Sequence, residues 1–380
     1  MLKGTDSRNI GRTEMTLMPK DINKEKSISR ARNLTQLVIC AVILGFAGYN
    51  VYSAYENMHP VPSSSYVKEP EETTVDEPTE PDPDKVVYSY AAVPTQDKFY
   101  GELILVNNDH EYFSLGDEDL VNIADLNSER GIDCFTVAEN TYTILRPVYD
   151  PMVQMIEDFY DLYHNDTLQI YGSYRSKKYQ QEIYDRYDGE TDDDGFPRAA
   201  VPGKSEHETG YAFDFTETTG LDYQGQGDFA WINTNCYKYG FVVRYTEEKE
   251  KITQIRSEPW HFRYVGIAHA TYMTKNDHCL EEYIDLLRDK YTYEGEHLEV
   301  TDDDGAHYEI FYVPSDDGSE TTNVPVPSGC RYDISGNNSD GFIVTVHKDE
   351  KTELGQETAE PETEATTEPD EDTDSDSDTE

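Results

Sequence analysis

Basic residues are scarce in this chain of 380 residues: 31 Lys and Arg stand against 78 Asp and Glu, for a net charge of −47. A nucleic-acid binder draws most of its affinity from cations set against phosphates, so that class is excluded. Cysteine is scarce as well, at five, and no two are spaced as in a zinc knuckle. Apolar residues make up 36 %, too few for a chain that is globular throughout. Tyrosine is abundant by contrast, at 30 with 13 Phe, so an aromatic core exists and the acid must be spread unevenly.

The unevenness divides the chain. Residues 1–33 carry eight basic residues against four acids, a local charge of +4. The uncharged apolar run Leu37–Tyr49 follows. It is short for a membrane span and has the length of a signal-peptide core, but a helix can extend across Leu34–Tyr52. We therefore expect a cytoplasmic tail over 1–33 and an uncleaved transmembrane anchor over 34–54. Basic residues stay on the cytoplasmic side, which places everything after the anchor outside the membrane. Residues 55–98 are rich in Pro, Glu, Ser and Thr, as in KEPEETTVDEPTEPDPDK, and read as a disordered acidic stalk. A second tract, 349–380, has 15 acids against Lys351 alone and reads as a solvated acidic tail.

Between these tracts lies the folded part, expected as a main domain over 99–292 and a small β unit over 293–348. GELILVNN (Gly101–Asn108), TLQIYGSY, GYAFDF, GFVVRY and EPWHFRYV read as strands. Pro147–His164 spaces Met152, Met155, Ile156, Phe159 and Leu162 as one helix face. Further helices are expected from Ser176, over Phe229–Tyr239 and over Leu280–Tyr291. Helix and strand mix without a β-α-β rhythm, which makes the class α+β. HYEIFYV and GFIVTV alternate in period two between turn-rich stretches and form the β unit, which either stands alone or pads the main domain. Cys40 falls in the apolar run. Cys134, Cys236, Cys279 and Cys330 would lie where disulfides are permitted, but their spacing commits to no pairing, and Cys236 and Cys279 read as buried thiols.

Chemistry concentrates in two stretches, Ser205–Asp214 and Glu258–His261. Period-two alternation in GYAFDF sets Tyr211, Phe213 and Phe215 on one face and Gly210, Ala212 and Asp214 on the other. The small face ending in a carboxylate leaves room above it, and His207 precedes it closely enough to curl back. Glu258 before a proline is biased to extended or polyproline geometry, whose three-residue turn brings Glu258 and His261 to one side. Two imidazoles and two carboxylates can thus converge. That set fits a catalytic zinc site, with His207, Asp214 and His261 as ligands, an open fourth position, and Glu258 as base toward bound water. Glu206 and Glu208 are expected to be solvated, and the other eight histidines (His59, His110, His164, His269, His278, His297, His307 and His347) to be surface residues.

SEHETGYAFDF resembles the Ser-x-His-x-x-Gly-x-Ala-x-Asp motif of the VanY-type D-alanyl-D-alanine carboxypeptidases. EPWHFRYVG is similar to the family's Glu-x-x-His element, and GSYRSKKYQ to its Gly-Tyr-Arg-Ser-x-x-x-Gln signature. The resemblance spans about Tyr100–Leu287. It implies a single zinc-peptidase domain with a mixed or antiparallel sheet and one Zn2+ held by His207, Asp214 and His261. Glu258 would be the general base and Arg175 the cation that steadies the scissile carbonyl. Gln180 and Ser205 would line the substrate pocket, and Trp260 reads as a packing wedge. Arg175, Lys204 and Arg263 are the candidate cations for the substrate carboxylate. Two departures stand out: Ser173 occupies the glycine position before Tyr-Arg, with Gly172 one residue earlier, and Glu208 stands where glutamine is frequent. The implied reaction is removal of D-alanine from peptidoglycan stem peptides outside a Gram-positive-like membrane. Cleavage of the L,D bond in tetrapeptides, or a non-catalytic wall-binding zinc domain, remain alternatives. The stem peptides, and the membrane through the N-terminal helix, are the expected partners. No nucleic acid or protein partner is inferred.

Overall fold

The computed structural model describes residues 86–114, 119–191, 195–220 and 222–352, all within one unit, Pro81–Glu380. The expected tail, the anchor, most of the stalk and the acidic C-terminal tract beyond residue 352 lie outside these residues; residues 349–351, expected in that solvated tract, instead end a strand. Among the described residues no helix is long and apolar enough to cross a membrane.

In chain order the strands are β1 (Val87–Pro94), β2 (Leu120–Asn122), β3 (Thr136–Val137), β4 (Thr143–Leu145), β5 (Leu168–Gly172), β6 (Ala212–Glu217) and β7 (Phe241–Tyr245). They continue with β8 (Glu258–Tyr264), β9 (Leu298–Thr301), β10 (His307–Pro314), β11 (Thr321–Ser328), β12 (Cys330–Gly336) and β13 (Gly341–Lys351). The helices used below are α1 (Ile123–Arg130), α2 (Arg146–Tyr163), α3 (Lys177–Tyr187), α4 (Ala230–Asn235), α5 (Glu250–Thr253), α6 (Ile267–Lys275) and α7 (Leu280–Lys290). The class is α+β, as the mixed pattern predicts.

A five-stranded sheet in the order β3-β5-β6-β8-β7 organises the fold. Only β3 and β5 run parallel; the remaining pairs are antiparallel. Helix α2 covers one face, with Val148, Met152, Met155, Ile156 and Phe159 packed on Phe213, Phe215, Phe241 and Phe262. Its apolar residues recur every three to four positions, so one stripe faces the sheet. The segment expected as one helix over Phe229–Tyr239 is split: α4 is flanked by 3-10 turns at Gly227–Phe229 and Cys236–Tyr239.

The expected strand at Gly101–Asn108 does not form. Leu103 to Val106 are buried, yet their backbone is held by side chains instead of a ladder. The Arg263 guanidinium donates to the carbonyls of Glu102 and Ile104 at 2.8 and 2.9 Å. Asn338 Nδ2 donates to the Leu105 carbonyl at 2.8 Å, and Leu103 N donates to Ser335 Oγ at 2.9 Å. Apolar content alone does not distinguish a strand from a strap laid over a core.

The β unit is not a separate body. Strands β12-β13-β10-β9 form an antiparallel sheet, and its Leu298, Val300, Ile310 and Ile343 share one core with Val242, Val265, Leu280, Ile284 and Leu287 of the preceding domain. The stalk boundary also moves: β1, inside the stretch expected to be disordered, pairs with β11 from Val87↔Ser328 to Pro94↔Thr321. It supplies Tyr88, Ala91 and Val93 to the core under that ribbon, a contribution masked in the sequence by the prolines and acids before it. The four cysteines of the folded part are free and buried.

Candidate metal centre

Strand pairing assembles the centre. In the β6/β8 ladder Asp214 lies opposite His261, Phe213 opposite Phe262, and Ala212 opposite Arg263. The phenylalanines stack at 5.7 Å on the core side, which turns Asp214 and His261 to the other face. There His261 Nδ1 stands 3.0 Å from Asp214 Oδ1. His207 sits on a single 3-10 turn, Glu206–Thr209, closed by Gly210 at φ 76°. That turn brings His207 Nε2 to 3.2 Å from Asp214 Oδ2. On the third side, β5 passes so close that a Cβ at Gly172 would come within 2.4 Å of Asp214 Oδ2. The glycine one place ahead of Ser173 thus provides the room in which the carboxylate lies.

Glu258 and His261 share a side, as expected, though by another route. Both belong to a β-strand, in which residues three apart face opposite ways. A register break opposite Val243 and Tyr245 restores the common side and leaves Glu258 Oε2 3.8 Å from His261 Nδ1.

One nitrogen or oxygen from each of His207, Asp214 and His261 lies within 4.8 Å of the others, and all three residues are buried. The His207 Nδ1–H is oriented by the Ser173 carbonyl at 2.9 Å, which leaves Nε2 free as a donor atom. Two imidazoles and one carboxylate are a ligand set that suits zinc, and the fixed tautomer of His207 fits such a role. Burial drives the His207 imidazole down to about 4, aided by the Arg175 charge, so it is neutral and able to ligate. Burial also opposes charge on His261, but its hydrogen bonds to Asp214 and Glu206 push it up to about 9. For Asp214, burial is outweighed by His207 and His261, which hold the carboxyl well below the usual range. Glu258 keeps 30 % of its side chain open, and enclosure elsewhere pushes its carboxyl up to about 7.

These groups line a cleft of about 920 Å3. Arg175 enters it just after β5; its backbone N–H donates to the His207 carbonyl at 3.0 Å and its Nη2 to Asp214 Oδ2 at 3.2 Å. Gln180, on α3 behind the N-cap Ser176, is buried; its Nε2 donates to the Ala200 carbonyl at 2.8 Å, while its Oε1 has no partner among the described residues. Ser205 lines the cleft immediately before the 3-10 turn. Trp260 lines it too and packs against the core around α2. Of the three candidate cations, Lys204 lines the cleft with its Nζ on the Asn108 carbonyl at 2.9 Å. Arg263 does not reach it: it is wholly buried and committed to Glu206, Glu102 and Ile104.

Two expectations of solvation are overturned. Glu206 is completely buried and accepts from Arg244 Nε at 2.8 Å and Arg263 Nη1 at 3.0 Å. Burial would raise its carboxyl, but the two guanidiniums and His261 hold it well below the usual range. Glu208 is buried on the other side of the turn, where it accepts from the Gly203 N–H at 2.7 Å. An extended chain would point both outward; the 3-10 turn folds both in. His269 is likewise interior, bridging Tyr283 and Thr345 at 2.8 Å each.

Comparison with known proteins bears on this geometry. The family model described as VanY, D-alanyl-D-alanine carboxypeptidase, matches residues 148–267. The D-alanyl-D-alanine carboxypeptidase of Enterococcus faecium is 42 % identical over 153 residues, 40 % of this chain and 47 % of that protein. The chain thus spans about half the length of that relative. The bifunctional D-Ala-D-Ala dipeptidase and D-Ala-D-Ala carboxypeptidase VanXYC of Enterococcus gallinarum is 34 % identical over 133 residues, 32 % of this chain and 67 % of that protein. Among solved structures, the vancomycin-resistance D,D-dipeptidase VanXYg, in complex with a D-Ala-D-Ala phosphinate analogue, superposes with a TM-score of 0.59 at 29 % identity. It covers 68 % of this chain and 99 % of that one.

Proposed function

Because the chain belongs to the VanY family of D-alanyl-D-alanine carboxypeptidases, we propose that it is a zinc-dependent D,D-carboxypeptidase that removes the terminal D-alanine from peptidoglycan stem pentapeptides. The observation that carries this reading is Glu258: a carboxylate open to the cleft, 3.8 Å from His261, and outside the three-residue ligand cluster. A purely structural metal site has no use for a fourth acid poised in this way.

Zinc bound by His207, Asp214 and His261 supplies a Lewis acid for the scissile carbonyl and a water of lowered pKa. The chain's own residues do the rest. Glu258 takes the proton of the attacking water and passes it to the departing D-alanine amine. Burial raises the Glu258 carboxyl in the metal-free site, and the charge of a bound zinc would act in the opposite direction. Arg175 places a fixed cation beside the oxygen that gains charge, a contribution of several kcal/mol or about 10²–10³ in rate. Asp214 holds that guanidinium from behind. The cleft lies at the upper end of the usual size range for ligand sites and has room for more of the stem than its last two residues.

The same proposal places the chain outside the membrane on the anchor at 34–54. Protease shaving of intact cells should remove a C-terminal tag and spare an N-terminal one; the reverse pattern would refute that orientation. For the activity, the full chain is incubated with zinc and synthetic stems and followed by mass spectrometry. Loss of one alanine from the pentapeptide, stopping there, supports the D,D assignment. Loss from the tetrapeptide alone moves it to the L,D bond, and no loss from either overturns the reading.

A further inference from the structure

The two histidines of the centre are supported differently. His207 turns its Nδ1–H to a neutral backbone carbonyl, that of Ser173. His261 turns Nδ1 to Asp214 at 3.0 Å, and its second nitrogen, Nε2, stands 3.3 Å from Glu206 Oε2. With a metal in the cluster, His261 would present its Nδ1 lone pair and carry its proton on Nε2, where Glu206 is the acceptor beside it. The two oxygens of Glu206 divide the work. Oε1 receives Arg244 Nε and Arg263 Nη1 at 2.8 and 3.0 Å, while Oε2 faces the ring. Held by two guanidiniums, the carboxylate cannot swing away from His261.

The guanidiniums are themselves pinned. Arg244 Nη2 donates to Glu281 Oε1 at 2.8 Å, and Arg263 donates to the carbonyls of Glu102 and Ile104. The strap at 101–108 and helix α7 therefore brace the acid from outside the centre. Consecutive residues serve different histidines: His207 enters the cluster, while Glu206 stands behind His261 on another strand.

We propose that Glu206 is a positioning residue: by accepting the Nε2–H of His261 it fixes the tautomer and plane of that ring, so that Nδ1 is presented beside Asp214. The inference rests on the reading of His207, Asp214 and His261 as a zinc site. An amide is a poor replacement, because its NH2 would meet either the two arginines or the His261 N–H donor to donor. Outer carboxylates of this kind contribute about 10- to 100-fold in metal affinity.

The test is zinc competition against a fluorescent chelator for the full chain and Glu206→Gln, with thermal melts of both metal-free proteins. The expected result is zinc binding weakened about 10- to 100-fold in a variant that still melts cooperatively. A merely structural Glu206 would lower the melting temperature and leave the zinc affinity of the folded protein unchanged, which overturns the proposal. Should Glu206→Gln not fold, 15N-histidine NMR of the zinc-loaded wild type decides. A proton on His261 Nε2, slow to exchange, supports the assignment, and a proton on Nδ1 overturns it. A wild type that binds no zinc defeats the metal reading itself, whereas equal binding by wild type and variant defeats only the role of Glu206.

Discussion

Gly172 leaves no room for a side chain beside Asp214, and adding one has a calculable effect. In Gly172→Ala the new methyl would lie 2.4 Å from Asp214 Oδ2, 2.9 Å from Cγ and 3.0 Å from Cβ. Ordinary contact begins near 3.4 Å, so the carboxylate must retreat by about 1 Å. It has no slack for that. Its oxygens stand 3.0 Å from His261 Nδ1 and 3.2 Å from both His207 Nε2 and Arg175 Nη2, so a 1 Å shift takes these contacts outside hydrogen-bonding range. A displacement of this size at a reacting centre costs about 10²-fold in rate, and the loss of one ligand's alignment should weaken zinc binding by at least a factor of ten. Gly172 is not among the positive-φ glycines, so the penalty is steric and not conformational. Gly220→Ala, at φ +82° with nothing among the described residues within 4 Å of the added atom, is the control. It should lose about 1 kcal/mol of stability with zinc affinity and turnover intact. D-alanine release and zinc competition are measured on both variants beside thermal melts. Gly172→Ala protein with zinc affinity and turnover within twofold of wild type would refute the argument that β5 holds Asp214 in place.

Three further outcomes follow from the same geometry. Glu258→Gln should bind zinc as tightly as the wild type and lose about 10²–10⁴-fold in turnover; retained turnover would exclude Glu258 as the base. A chain ending at residue 292 should be insoluble or unfolded by circular dichroism, because it strips Leu298, Val300, Ile310 and Ile343 from the core they share with Leu280, Ile284 and Leu287; a cooperative melt from that truncation would show two separable bodies. Burial drives His269 down to about 3, well under its unfolded value near 6.5, so protons bind the unfolded chain first and stability falls as pH drops below about 6.5. At pH 5 the difference is about 1.5 pH units at ~1.4 kcal/mol each, or about 2 kcal/mol. His269→Gln should flatten this slope in denaturant titrations by about one proton, and an unchanged slope would refute the assignment.

Part of the centre was legible because His207 and Asp214 lie close together in sequence and the strand that carries Asp214 obeys a two-residue period. Ala212 to Phe215 alternate faces, so Asp214 could be placed opposite the aromatic side from sequence alone; the common side of Glu258 and His261 comes instead from a strand register break and not from the polyproline geometry expected of them, and the 3-10 turn that carries His207 was expected only as a chain curling back. The helix at 146–163 was equally plain, since one apolar stripe of 3.6-residue period has few other uses. What failed was non-local. Gly101–Asn108 is apolar enough for a strand, but a strand also needs a neighbour in register, and the partners of this segment are Arg263, Asn338 and Ser335, which lie more than 150 positions away. Strand β1 hid behind a disordered-looking lead for the converse reason: its pairing with β11 supplies order that its own composition does not.

The buried ion network around Glu206 is the more instructive omission. In a chain with 78 acids, an acid beside a histidine carries little information, and solvation is the default. The arginines carry more. Arg244 lies between Val243 and Tyr245 in β7, and Arg263 between Phe262 and Tyr264 in β8, both in strands whose neighbours are core residues. A guanidinium in such a strand is not left without an anion, since an unpaired buried charge is strongly destabilising. The scarcity of cations therefore turns each interior arginine into a demand for a buried carboxylate nearby. Sequence raises that demand without saying which acid meets it, because the answer depends on a 3-10 turn that brings Glu206 under both strands at once. Asp214 was found through its own pattern, whereas Glu206 could be found only through its partners.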